Sequence, residues 1–118
     1  VGTAFNSPDN LATDAAGNIY IIEDQGGGNA NIWFAKDTDR DGVAESVGVW
    51  ASLATTGAEP TGLYFDINNP NVAFLNVQHP SSGDDALVRI SAVPEPETYV
   101  MMLAGLLGVG FMARRRKA

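Results

Sequence analysis

Cysteine is absent from the 118-residue chain, and histidine occurs once. No disulfide framework and no thiolate metal site can form within it, which leaves carboxylates, amides and His79 to hold any metal. Basic residues are scarce ahead of the C-terminus. Residues 1–92 carry 12 acids against 3 bases, a net −9, whereas residues 93–118 carry 2 acids against 4 bases, a net +2. A body of that sign repels a phosphate backbone, so no nucleic-acid partner is expected, and hard cations suit it better. Also missing are a Gly-x-Ser-x-Gly nucleophile elbow and a phosphate-cradling loop: Gly26 to Asn29 is followed by neither a helix nor a Lys-Ser/Thr pair. No apolar stripe of helical period precedes Pro94. The chain opens on Val1 rather than Met and reads as the C-terminal part of a longer protein.

What is present from Phe5 to Ile90 is a series of short β-branched and aromatic runs between turn clusters. "NIYIIED", "NIWFAKD", "SVGVWASL", "TGLYFDI", "NVAFLNVQ" and "ALVRIS" all read as strands, making residues 1–92 all-β. Two stretches share a frame of Pro, apolar strand, Asp, turn with Asn and second apolar strand: "SPDNLATDAAGNIYIIEDQ" and "EPTGLYFDINNPNVAFLNVQ". They start about 52 residues apart, near the 40 to 50 residues of a propeller blade. The expected fold is a partial β-propeller of about one and a half to two blades. A compact sandwich of about seven strands is the alternative.

The sharpest chemical motif is "DTDRDGVAE", in which Asp37, Asp39 and Asp41 alternate ahead of Gly42, with Glu45 following. Alternating acids in a tight loop aim several carboxylate oxygens at one centre, as in the first half of an EF-hand loop. The twelfth position is Gly48 rather than a bidentate Glu, so the expectation is a shorter Asp-x-Asp-x-Asp-Gly Ca²⁺ loop between strands, against a solvated hairpin. A second group stands at strand starts and ends: Asp9, Asn10, Glu23, Asp24, Glu59, Asn76 and His79. In a propeller such positions converge on one mouth of the channel, and carboxylates with an imidazole suit Ca²⁺, iron or manganese. Each also reads singly as a turn or surface residue.

"SPDNLATDAAGNIYIIED", "GAEPTGLYFD" and "AFLNVQHP" together resemble the C-terminal part of PhoX-type secreted alkaline phosphatases, over roughly Phe5 to Ile90. The resemblance implies a propeller with a calcium- and iron-dependent phosphomonoesterase site. It makes Asp9 and Glu59 metal ligands, places Asn10 and His79 near the site, and assigns the remaining ligands, a cysteine among them, to other segments. A phosphate ester would be the substrate of the longer protein, with the segment alone inactive. The alternatives are a non-catalytic Ca²⁺-stabilised propeller on the cell surface or in exopolysaccharide, and a lactonase-like propeller with a single Ca²⁺.

The stretch from Val93 is different in kind. Val93, Pro94, Glu95 and Pro96, an apolar run, then Arg114, Arg115, Arg116 and Lys117 resemble the PEP-CTERM sorting signal of Gram-negative bacteria. That resemblance implies export and processing by an exosortase-type enzyme. Two prolines stiffen an extended linker that a protease can reach. The uncharged run of 15 residues from Tyr99 to Ala113 is expected to form a transmembrane-type helix. At about 22 Å it is short against a hydrocarbon core of about 30 Å. The basic end places the C-terminus in the cytoplasm during a transient tether to the inner membrane, before an extracellular or cell-surface destination. The expected division is thus a β body, 1–92, and a sorting tail, 93–118.

Overall fold

In the computed structural model the described residues are 5–24, 29–81, 83–93 and 96–116. Seven strands and one helix follow in order: β1 Pro8–Thr13, β2 Ile19–Glu23, β3 Asn31–Lys36, β4 Ser46–Ser52, β5 Glu59–Phe65, β6 Val72–Gln78, β7 Ala86–Ser91 and α1 Pro96–Arg116. The strands form two antiparallel meanders, a four-stranded sheet ordered β1-β2-β3-β4 and a three-stranded sheet ordered β5-β6-β7. Residues 1–92 are all-β among the described residues, as expected, and neither sheet closes on itself.

The turns explain the meander. Between β1 and β2 the Asp14 carboxylate accepts the N–H groups of Ala16 (2.9 Å) and Asn18 (3.0 Å), the Asn18 amide (2.8 Å) and the Tyr20 hydroxyl (3.1 Å). Gly17 sits there at φ +87°, a conformation costly for any residue with a Cβ. About 52 residues later Asp66 opens the β5–β6 turn, accepting the Asn68 N–H at 2.8 Å. The repeat read from sequence is therefore a repeat of turn chemistry as well as of apolar pattern.

Tyr20, Ile22, Ile32, Leu63, Ala73 and Leu75 form a core between the two sheets. Phe34, Trp50 and Phe65 pack around it, with Tyr20 edge-on to Phe34 and Trp50 at centroid separations of 5.4 and 5.2 Å. Strand alternation would leave the opposite face of the first sheet polar if the fold were a two-layer sandwich. Instead Leu11, Ile19, Ile21 and Val47 line a second apolar surface there. Leu11 is 73% exposed, yet Leu63, its equivalent in the repeat, is 8% exposed under the first sheet.

The helix corrects one expectation. A transmembrane-type helix was expected over 99–113. A helix does form, Pro96–Arg116, but no helix among the described residues is long and apolar enough to cross a membrane. Its 21 residues include Glu97 in the first turn and Arg114 to Arg116 in the last, and Gly105, Gly108 and Gly110 dilute the apolar stretch between them. Those charges suit the helix macrodipole, and Pro is well tolerated at a first helical position, so the same residues that favour the helix keep it from being a span.

Candidate metal centre and sorting tail

The acidic loop joins β3 to β4, strands held in register from Lys36↔Ser46 inward, and the Glu45 N–H donates to the Lys36 carbonyl at 2.9 Å to close it. Arg40 (φ +60°) and Gly42 (φ +87°) turn the backbone back on itself. The result gathers Asp37, Asp39, Asp41 and Glu45 so that one carboxylate oxygen from each lies within 4.8 Å of the others. Two oxygens on opposite sides of one Ca²⁺ are about 5 Å apart when each bond is about 2.4 Å, so the spread matches a shared ion.

Each carboxylate already uses one oxygen on the loop's own backbone. Asp37 Oδ2 accepts the Gly42 N–H at 2.9 Å, Asp39 Oδ1 that of Asp41 at 3.3 Å, Asp41 Oδ1 that of Val43 at 2.8 Å, and Glu45 Oε2 that of Thr38 at 2.6 Å. Each carboxylate has a second oxygen besides. One of them, Asp37 Oδ1, is buried with no hydrogen-bond partner, the one such side-chain atom among the described residues. A buried, unpartnered carboxylate oxygen is costly, and a hard cation satisfies it directly. The Thr38 N–H holds the Glu45 carboxyl below its ordinary range, despite the neighbouring negative charge of Asp37, so Glu45 stays ionised to lower pH. The residues present fit Ca²⁺.

The second group is arranged differently. Among the described residues no ligand set of three or more other than the loop is brought together. Asp9 is exposed near the start of β1 and accepts the Asn10 amide at 2.6 Å. The same Asn10 amide reaches Thr61 Oγ1 at 3.5 Å, two residues after Glu59, so the starts of β1 and β5 touch. Glu59 lies opposite Gln78 in the β5–β6 ladder and accepts its amide at 2.6 Å. His79 is exposed at φ +55°, held by its N–H to Asp85 Oδ1 at 2.9 Å, and Asp24 is exposed with its N–H on the Ser7 carbonyl.

Glu23 has a role that strand position alone did not reveal. It is 1% exposed, and its carboxylate accepts the Asn6 N–H (2.9 Å), the Asn31 N–H (2.9 Å) and the Trp33 indole N–H (2.7 Å). Burial pushes its pKa up, but the donors from Asn6, Trp33 and Asn31 outweigh it and hold the carboxyl below the usual value. The side chain ties the segment before β1 to the start of β3. The signal for this was an acidic pair, Glu23 and Asp24, ending an apolar strand, which reads equally as surface or site.

In the tail, Val93 is exposed, and Pro94, Glu95 and Lys117 lie outside the described residues. Pro96 begins α1, whose residues 100–110 are all exposed, and no described face of it is buried against the strands. Residues 92–117 match the family model of the PEP-CTERM protein-sorting motif. No curated protein and no solved structure matches the chain, and nothing found supports the resemblance of residues 5–90 to PhoX-type phosphatases. The chain carries a PEP-CTERM sorting motif at 92–117, a signal that indicates export and a membrane-linked sorting step in bacteria and implies processing by an exosortase-type enzyme.

Proposed function

We propose that the β body is an exported, Ca²⁺-stabilised propeller segment, delivered by its tail to an extracellular or cell-surface position on a Gram-negative bacterium. The observation that carries the delivery half is the match of residues 92–117 to the sorting motif, within which every helix residue of described burial is exposed. The body, 1–92, is cargo, and the tail, from 93, is an address. During sorting the tail meets the membrane with its basic end on the cytoplasmic side, in the orientation favoured by Arg114 to Lys117.

The propeller reading is supported by the four-strand and three-strand meanders and by the apolar surfaces on both faces of the first sheet. The Ca²⁺ reading rests on the convergence of one carboxylate oxygen each from Asp37, Asp39, Asp41 and Glu45 and on the orphaned Asp37 Oδ1. Bound Ca²⁺ would neutralise the loop and lock the β3–β4 connection, a structural role. Isothermal titration of the protein with Ca²⁺, beside its Asp39→Ala variant, tests this: heat of binding in the first and not the second is expected, and identical traces would refute the site.

A second reading extends the first to chemistry: the longer protein is a metal-dependent phosphomonoesterase, with Asp9 and Glu59 as ligands and iron alongside calcium. The contact between Asn10 and Thr61 favours it, because it joins the two strand starts that carry those acids. Hydrolysis of p-nitrophenyl phosphate by the full-length protein, lost on chelation and restored by metal, is expected. Activity indifferent to chelation, or none with metals supplied, rules it out and leaves the non-catalytic surface propeller.

A further inference from the structure

Arg89 is the one basic residue on the three strands of the second sheet, and it stands on an open edge. The strand that carries it, β7, pairs with β6 on one side and with no strand on the other among the described residues. The Ala92 N–H donates to the Asn71 carbonyl at 2.8 Å. The backbone groups of Ala92, Ile90 and Val88 therefore turn toward β6, and those of Leu87, Arg89 and Ser91 turn outward. An outward row of that kind is a template for a further strand, and charges along it restrict which strand can pair.

The charges of this edge are self-complementary. Asp85 lies just ahead of β7 and lines the same surface as Leu87, and strand alternation puts Arg89 on that face too. Leu87 is 69% exposed, and Asp85 and Arg89 are both exposed. Within one chain the two charged residues stand about 13 Å apart, four residues at about 3.3 Å each, too far to pair. Arg89 instead donates to Ser91 Oγ, and Asp85 Oδ1 accepts the His79 N–H at 2.9 Å.

A second copy of β7 brings the charges together. Laid antiparallel with Leu87 opposite Leu87, it sets each Asp85 opposite an Arg89, and the outward backbone groups of both strands face one another. Sliding the copy by one residue sets outward groups against inward ones and breaks the ladder. Sliding it by two leaves each charge opposite an uncharged residue. Sliding it by four sets Arg89 on Arg89 or Asp85 on Asp85, and like charges directly opposite are destabilising. One register alone satisfies both charges.

We propose that β7 is a dimerisation edge, pairing antiparallel with β7 of a second copy of this chain about a two-fold axis at Leu87, with Asp85 facing Arg89 on both sides. The second copy takes the place beside β7 that β4 takes beside β3 in the first sheet. The same patch is used by both copies, so the assembly closes at two and does not grow into a fibre.

The test is sedimentation of the full-length native protein and of three variants, Asp85→Arg, Arg89→Asp and the double exchange. The parent is expected to dimerise. Each single variant sets like charges opposite at two places and should weaken the dimer by about tenfold or more, while the double variant restores opposite charges and the dimer with them. A parent that stays monomeric at about 100 μM, well above the range of a specific complex, would overturn the proposal. So would a dimer that neither single variant weakens, or a double variant as weak as the singles. Hydrogen exchange of the unsubstituted protein is a check free of folding artefacts: the amides of Leu87, Arg89 and Ser91 should be protected in the dimer and lose that protection on dilution to monomer. Unprotected amides there in a sedimenting dimer would place the interface elsewhere and refute the edge pairing.

Discussion

Trp33 donates its indole N–H to Glu23 at 2.7 Å, and that carboxylate also accepts two backbone N–H groups, from Asn6 and Asn31. Three donors on one buried carboxylate make Glu23 a brace, and its ionised form is the one the fold prefers. Because its folded pKa lies below the unfolded value, this contribution is present above the ordinary carboxylate value near 4.5 and is lost as pH falls through the folded pKa. Glu23→Gln is expected to destabilise by about 2 kcal/mol at pH 7, the scale of a hydrogen bond to a charged group. Urea unfolding should show the gap between variant and parent narrowing in acid, where the parent carboxyl also becomes protonated.

The Tyr20 hydroxyl donates to Asp14 Oδ2 at 3.1 Å. Burial first, then the charge of Asp14 and its hydrogen bond, push the Tyr20 hydroxyl from its ordinary 10.0 up to about 12. The raised value means its stabilising share is full below about 10 and is lost as pH rises through the folded pKa. In Asp14→Ala the Tyr20 transition, followed by phenolate absorbance, is expected to move back toward the ordinary range. The variant should also lose about 1 kcal/mol or more through its turn, which loses the acceptor for the Ala16 and Asn18 N–H groups. An unmoved tyrosine transition would contradict the assignment.

Gly62 sits in the β5 bulge at φ +58°, and a Cβ built there would lie 2.9 Å from the Asn76 amide nitrogen. Gly62→Ala therefore meets both backbone strain and a clash, for an expected loss of about 1–3 kcal/mol. Adding Asn76→Ser removes the clash and not the strain, so the double variant should recover part of the loss. Full recovery in thermal melts would mean that the backbone conformation is not costly.

Calcium should stabilise the body and not merely bind to it. At a free Ca²⁺ concentration a hundredfold above Kd the expected gain is about 2.7 kcal/mol, seen as a rise in Tm that a chelator reverses. Asp39→Ala and Asp41→Ala should each abolish the rise. An equal rise in either variant would place the ion elsewhere.

The strands were legible because alternation, β-branching and turn residues agreed along "NIYIIED" and "NVAFLNVQ", and local choices that agree with the fold are what a sequence displays most openly. The acidic loop was legible for a similar reason, since Asp-x-Asp-x-Asp-Gly fixes its own turn. Glu23 and Asp14 were not, because their partners come from other strands or from backbone N–H groups that no side-chain pattern announces. The span of the tail was misjudged from the uncharged run over 99–113. The helix extends through Glu97 and Arg114 to Arg116, and its glycines lower the apolar density that a span requires.

The most direct test of the account is the mass of the C-terminal peptide of the protein recovered from the cell exterior of its native host. Processing at the sorting motif predicts a body that ends upstream of Arg114 and lacks the basic cluster. A recovered exterior protein that retains Arg114 to Ala118 would contradict the reading of the tail as a detachable address.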